Sequence, residues 1–135
     1  MDCLDYTPLT STPSGEQQRI VIIEDNQDTA DSLRVLLELL GHEVRVAYTG
    51  PEGVQLAMEW VPTVVLSDIG LPGLDGFGVA RELRRNEATA NTPLIAITAY
   101  GDDDHRRRAY ESGFDHFLTK PMSSDTLQRL LASVS

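Results

Sequence analysis

"VVLSDIGLPG", residues 64–73, decides how the chain is read. Val64, Val65 and Leu66 suit a strand buried on both faces of a parallel sheet, and the run then gives way to Asp68, a glycine and a proline. A carboxylate at that point is either a turn cap or a group delivered to a rim shared with other strands. The sequence on either side separates the two readings.

Upstream, "RIVIIEDN" (19–26) sets Ile20, Val21, Ile22 and Ile23 ahead of Glu24 and Asp25, and Leu33, Leu36, Leu37 and Leu40 follow at helical spacing up to Gly41. "EVRVAYT" alternates Val44, Val46 and Tyr48 and predicts a strand exposed on one face at the sheet edge. Pro51 suits a first helical turn, with Val54, Ala57, Met58 and Val61 as the apolar stripe and Pro62 as the stop. Downstream come a helix in "DGFGVARELRRN", a strand in "PLIAITA", and a helix in "DDDHRRRAYESG" that opens on acids and closes on Gly113. "DHFLTK" and "SSDTLQRLLASV", with Leu127, Leu130, Leu131 and Val134 in register, form the last pair. The alternation predicts an α/β fold, a (βα)5 doubly wound five-stranded parallel sheet with helices on both faces.

Such sheets bind ligands beyond the carboxyl ends of their strands. Glu24, Asp25, Asp68, Thr98 and Lys120 all stand at predicted strand ends, so the fold assembles carboxylates, a hydroxyl and an ammonium on one rim. Clustered carboxylates repel unless a cation offsets them, and an all-oxygen set suits a hard ion such as Mg²⁺, which favours sites shared with phosphate. A carboxylate is also a nucleophile able to form an acyl phosphate, while a metal, a lysine and a hydroxyl neutralise and position the phosphoryl group.

With these residues in this order, the chain resembles the receiver domain of two-component response regulators over residues 19 to about 134. The resemblance rests on Glu24-Asp25 after an apolar strand, Asp68 in "SDIGLPGLDG", Thr98-Ala99 after "PLIAI" and Lys120-Pro121 after "HFLT". It implies the flavodoxin-like strand order 2-1-3-4-5. It also implies that Asp68 is the phosphoacceptor, taking phosphate from a phosphohistidine of a sensor histidine kinase or a histidine phosphotransfer protein. Asp25, Asp68 and the Gly70 carbonyl would hold Mg²⁺, replaceable by Mn²⁺, with Glu24 acting mainly through water. Lys120 would pair with the phosphoryl oxygens, and Thr98 would donate its hydroxyl to one of them while Phe117 turns inward, switching the surface of the fourth helix and fifth strand. As such a domain it would promote its own phosphorylation and dephosphorylation. Gly70 and Tyr100 sit where the family tunes phosphoryl lifetime, and slow-to-moderate loss is expected. Pro72 and Gly76 match its loop residues, and a cis Lys120-Pro121 peptide is expected.

Two other functional classes compete with this reading. A flavodoxin-like electron carrier needs its phosphate loop after the first strand, whereas "TPLTSTPSG" precedes it; a dinucleotide enzyme needs G-x-G-x-x-G where "EDNQDTAD" stands. A receiver fold serving only as a docking module is the nearer alternative, and the full set of rim residues argues against it. Acidic residues outnumber basic ones 21 to 11, a net charge of -10, which disfavours direct nucleic-acid or anionic-membrane binding. The single cysteine, Cys3, excludes an intramolecular disulfide, and no apolar run or leader pattern points to a membrane, so a cytoplasmic protein is expected. Residues 1–18, rich in Thr, Ser, Pro and Gly, read as a flexible arm or linker, and 19–135 as the domain. "DDDHRRR" reads as a solvated face with local ion pairs, and His42, His105 and His116 read as surface residues. The sequence stops just after the fifth helix, so a stand-alone regulator or the C-terminal receiver of a hybrid sensor kinase is expected, the Pro/Ser/Thr-rich arm and the style of "SDIGLPGLDGFGVARELR" resembling the latter, with homodimerisation an open alternative.

Overall fold

The structure is a computed structural model describing residues 17–70, 75–99, 101–120 and 123–134. In chain order it contains β1 (Arg19–Ile23), α1 (Gln27–Leu39), β2 (Glu43–Ala47), α2 (Gly50–Trp60), β3 (Val64–Asp68), α3 (Gly76–Arg85), β4 (Leu94–Thr98), α4 (Asp103–Ser112), β5 (His116–Thr119) and α5 (Ser124–Val134). The strands pair in parallel in the order β2-β1-β3-β4-β5, the flavodoxin-like order expected. β2 is an edge strand, and its alternation of exposed Glu43 and Arg45 with half-buried Val44 and Val46 follows from that position.

The helix ends are written locally. Asn26 caps α1 by accepting the Thr29 N–H, Thr49 caps α2 by accepting the Glu52 N–H, and Asp75 and Asp102 cap α3 and α4. Glu52 also accepts the Tyr48 N–H, from the residue before the cap. Gly113, at φ 120°, ends α4 in a left-handed turn that carries little strain without a Cβ. At the end of α2 the expectation needs correcting. Val61, placed on the apolar stripe by spacing, is instead the left-handed cap at φ 50° and is 43% exposed. Pro62 disfavours helical geometry at the residue before it, so the chain turns at Val61 and the side chain leaves the helix face.

The sheet separates two apolar layers. On one face Val21, Ile23, Val65, Leu94, Ala96 and Phe117 meet α2, α3 and α4 through residues such as Val54, Phe77, Leu83 and Ala109. There α2 packs against α3 and α3 against α4. On the other face Ile20, Ile22, Val64, Leu66, Ile95 and Ile97 meet α1 and α5 through Ala30, Leu37, Leu127 and Leu131. Between α1 and α5 lies a cleft of about 330 Å³, walled by Leu33, Leu36 and Leu127 over a floor of Ile22, Leu66 and Ile97.

Below the cleft the two helices are joined. Gln18 is 2% exposed; its backbone N–H donates to His42 Nδ1 at 3.0 Å and its side-chain Nε2 donates to the Leu131 carbonyl at 2.6 Å. Its Oε1 accepts from Thr63 Oγ1 at 3.1 Å. Gln18 therefore packs with the domain, although composition groups it with the preceding arm. His42 is buried rather than a surface residue, and burial pushes its pKa below the ordinary histidine value. His116 begins β5 opposite Ile95, at the end of the sheet away from Lys120.

Candidate functional site

The parallel register carries the strand ends to one level: Ile23 lies opposite Ser67, Asp68 opposite Ile97, and Thr98 opposite Thr119. Glu24 extends β1 by one more ladder bond, its N–H donating to the Ala47 carbonyl at 3.0 Å, and Lys120 extends β5 by donating its N–H to the Thr98 carbonyl at 2.8 Å. Backbone pairing thus fixes both side chains before any side-chain contact forms.

Glu24, Asp25 and Asp68 each offer an oxygen, and these atoms lie within 4.8 Å of one another. Lys120 Nζ donates to Glu24 Oε1 at 2.7 Å and to Asp68 Oδ2 at 3.3 Å. Asp68 Oδ1 accepts the Gly70 N–H at 2.9 Å, a turn of the kind Asp favours two residues before glycine. Glu24 Oε2 accepts the Asn26 N–H at 3.0 Å. The carboxylates grade from buried Glu24, 5% exposed, through half-buried Asp68 to exposed Asp25, so the cluster faces solvent on one side only.

Burial raises the Glu24 pKa, and the Asp68 charge adds to the rise against hydrogen bonds from Lys120 and Asn26 that oppose it. Burial alone would depress Lys120, but its hydrogen bonds and charge contacts with Glu24 and Asp68 leave its pKa raised. Lys120 is therefore a firmly protonated cation set between two acids. The all-oxygen donor set of Glu24, Asp25 and Asp68 fits a hard divalent ion, with open solvent for its remaining waters.

Thr98 is fully buried, and Phe117 is 7% exposed. Phe117 lies opposite Ala96, and Thr98 stands two residues farther along β4, so strand alternation puts both on the α4 side of the sheet. Asp68 alternates to the other side, where with Glu24 and Lys120 it lines the mouth of the α1–α5 cleft. The residues expected at one rim are all there, but they divide between its two faces. The expectations for Pro72, Tyr100 and the Lys120-Pro121 peptide, like those for the arm before Gln17, lie outside the described residues.

Two further residues support the site: Asn26, which sequence reasoning did not single out, and Gly76, which it matched to the family's loop without its close contact. Asn26, whose N–H holds Glu24 while its side chain caps α1, was signalled by its place between the acidic pair and the helix. Gly76 starts α3 against the end of β3. A Cβ there would stand 2.5 Å from the Asp68 carbonyl oxygen and 2.3 Å from Ile69 Cα, so no side chain fits without moving the loop that carries Gly70.

The chain matches, over residues 20–132, the family model described as the response regulator receiver domain. It is 35% identical to protein PilH of Pseudomonas aeruginosa over 86% of this chain and 96% of that protein. It is 37% identical to the DNA-binding dual master transcriptional regulator RpaA of a Synechocystis strain over 86% of this chain, and it spans only 47% of that longer protein. Among solved structures, the receiver domain of a Pseudomonas aeruginosa sensor histidine kinase, with a magnesium ion in its active-site cleft, superposes at a TM-score of 0.81. That pair is 31% identical, covering 87% of this chain and 97% of the other.

Proposed function

Since the chain belongs to the response regulator receiver domain family, we propose that Asp68 is the acceptor of a phosphoryl group passed from a phosphohistidine on a sensor kinase or phosphotransfer protein. One observation carries this reading: Lys120 Nζ bridges Glu24 Oε1 and Asp68 Oδ2 within a cluster of three carboxylates. A lysine committed to two acids at the mouth of a sheet is poised to exchange one of them for a phosphoryl oxygen.

In the transfer an Asp68 carboxylate oxygen forms a bond to phosphorus as the bond from phosphorus to the donor histidine nitrogen breaks. The electron pair of that bond returns to the imidazole, and the acyl phosphate stays on Asp68. Gly70 N–H and Lys120 orient the carboxylate beforehand, so it does not reorganise at the moment of attack. Lys120 then neutralises charge on the transferred group, while Glu24 retains it through the 2.7 Å contact. A divalent ion, Mg²⁺ or Mn²⁺, held by Asp25, Asp68 and the Gly70 carbonyl with Glu24 through water, would supply the remaining positive charge. Thr98, buried beside this rim, donates its hydroxyl to a phosphoryl oxygen, and Phe117 on the same face responds to its movement.

The net charge of the full chain, -10, disfavours direct binding to a nucleic-acid backbone. No helix among the described residues is long and apolar enough to cross a membrane. The test is incubation with acetyl phosphate and Mg²⁺. Wild type gains one phosphoryl group by intact mass and Asp68→Asn gains none; labelling of both, or of neither, overturns the assignment.

A further inference from the structure

α4 is an unusual helix to pack against a sheet. Its buried residues are only Ala109 and Ser112, and neither offers an apolar side chain larger than a methyl group. What reaches from α4 to its neighbours is arginine. Arg106 lies with its guanidinium carbon 4.9 Å from the centre of the Phe117 ring on β5, and Arg108 lies 4.4 Å from that of Phe77 on α3. Two residues apart on a helix is about 200° of rotation, so these arginines leave α4 on opposite flanks of the line through Ala109. Arg107, between them, turns to solvent and pairs with Asp104 and Glu111. The run expected to be a solvated, ion-paired face is therefore ion-paired through Asp104–Arg107 and Arg107–Glu111, with a close Asp102–His105 contact, and also holds two aromatic rings.

A guanidinium over a ring face is drawn to the negative side of the ring's quadrupole. Phe117 is only 7% exposed, on a strand at the edge of the sheet opposite Ala96, and shares a buried cluster with Leu94, Ala109 and Phe114. With no large apolar side chain of α4 fully buried, Arg106 is the α4 side chain that lies over the ring. We propose that Arg106 is the positioning residue for Phe117, holding the ring inward and thereby favouring the phosphoryl-bound arrangement of Thr98 and the rim. This rests on the reading of Asp68 as acceptor and of Phe117 as the ring that answers Thr98. By reciprocity, a partner that draws the Arg106 guanidinium away also weakens phosphoryl binding at Asp68.

The test uses the full chain labelled with 4-fluorophenylalanine, with the Phe117 resonance identified through Phe117→Leu. Arg106→Met keeps a stem over the ring and removes the charge; Arg106→Lys restores a cation. In the metal-free protein, Arg106→Met moves the Phe117 fluorine resonance toward its solvent-exposed value, and Arg106→Lys recovers part of the shift. In titrations with beryllofluoride and Mg²⁺, half-saturation rises about two- to fivefold in Arg106→Met. An unmoved resonance, or an unchanged or lowered half-saturation, overturns the proposal. If wild type shows no beryllofluoride response, the acceptor reading fails, and the metal-free spectra still decide whether Arg106 holds the ring.

Discussion

The two faces of the sheet are covered by the same kind of element yet built to different standards. On the α2–α3–α4 face the helices pack in series and long side chains tie them together. Arg84 is the centre of this network: its Nε donates to the Gly113 carbonyl at 3.0 Å, its Nη1 to the carbonyls of Ala90 at 3.0 Å and Thr92 at 2.7 Å, and its Nη2 to Asp115 Oδ2 at 2.8 Å. On the α1–α5 face the helices meet through Gln18 at the base and part toward the rim, leaving the cleft that Asp68 and Lys120 overlook. The carboxylates and Lys120 sit on the open face, and Phe117 and α4, proposed to respond, sit on the closed one. Asp68 and Thr98, on neighbouring strands, join them across the sheet.

Substitutions can break this contrast. The largest effect is expected from Phe77→Ala on the closed face, about 3–5 kcal/mol of unfolding free energy in urea titrations, against under about 2 kcal/mol for Leu36→Ala beside the cleft, where less packing is lost. Equal losses at the two positions would erase the distinction. Arg84→Ala comes next, at about 2–3 kcal/mol, because it strips donors from several carbonyls and a carboxylate at once. Arg85→Ala, whose residue pairs with Glu82 and is 71% exposed on its side chain, serves as its near-silent control.

At the rim the expected sign reverses. Asp68→Asn removes one of three crowded carboxylates and should stabilise the metal-free protein by about 1 kcal/mol while weakening Mg²⁺ binding, a trade typical of functional sites. Calorimetric melting with and without Mg²⁺ reads both, and a destabilised Asp68→Asn would mean that Lys120 more than offsets the repulsion. The smallest effect is at the base of the open face. His42 has its pKa lowered by burial, so the unfolded chain binds the proton more readily than the native one. Stability from this group is complete above its unfolded pKa of about 6.5 and declines as pH falls toward the native value. His42→Gln should flatten the urea midpoint between pH 7.5 and 5.5, and an unchanged slope would show that the seam does not titrate.

What could be read from the sequence follows this division. The strands and the rim residues were legible because regular βα alternation leaves few topologies and because the side chains that matter stand at strand ends with chemistry of their own, while the strand order came with the family resemblance. Arg84 was not legible. It differs from Arg85 in nothing but position, and its partners are mostly carbonyls, which every residue carries. His42 misled for a related reason: it follows a helix-ending glycine as a surface residue would, and its partner is the backbone N–H of Gln18, 24 residues earlier. The division of the rim between two faces was implicit in the alternation of strand side chains, but it needed the register to be seen. The double use of "DDDHRRR" was hidden because ion-pair spacing and ring contact draw on the same arginines.

The Arg84 network also sets a mechanical ratio. It pins the C-terminal end of α4 at Gly113, while Arg106 rides near the other end of a helix of 10 residues, about 15 Å long. A lever of that length turns a tilt of about 10° at the pinned end into a displacement of roughly 2.5 Å at the Asp103 end. α4 is therefore pinned at its Gly113 end, and a shift of that size at its Asp103 end is one that a binding partner can feel.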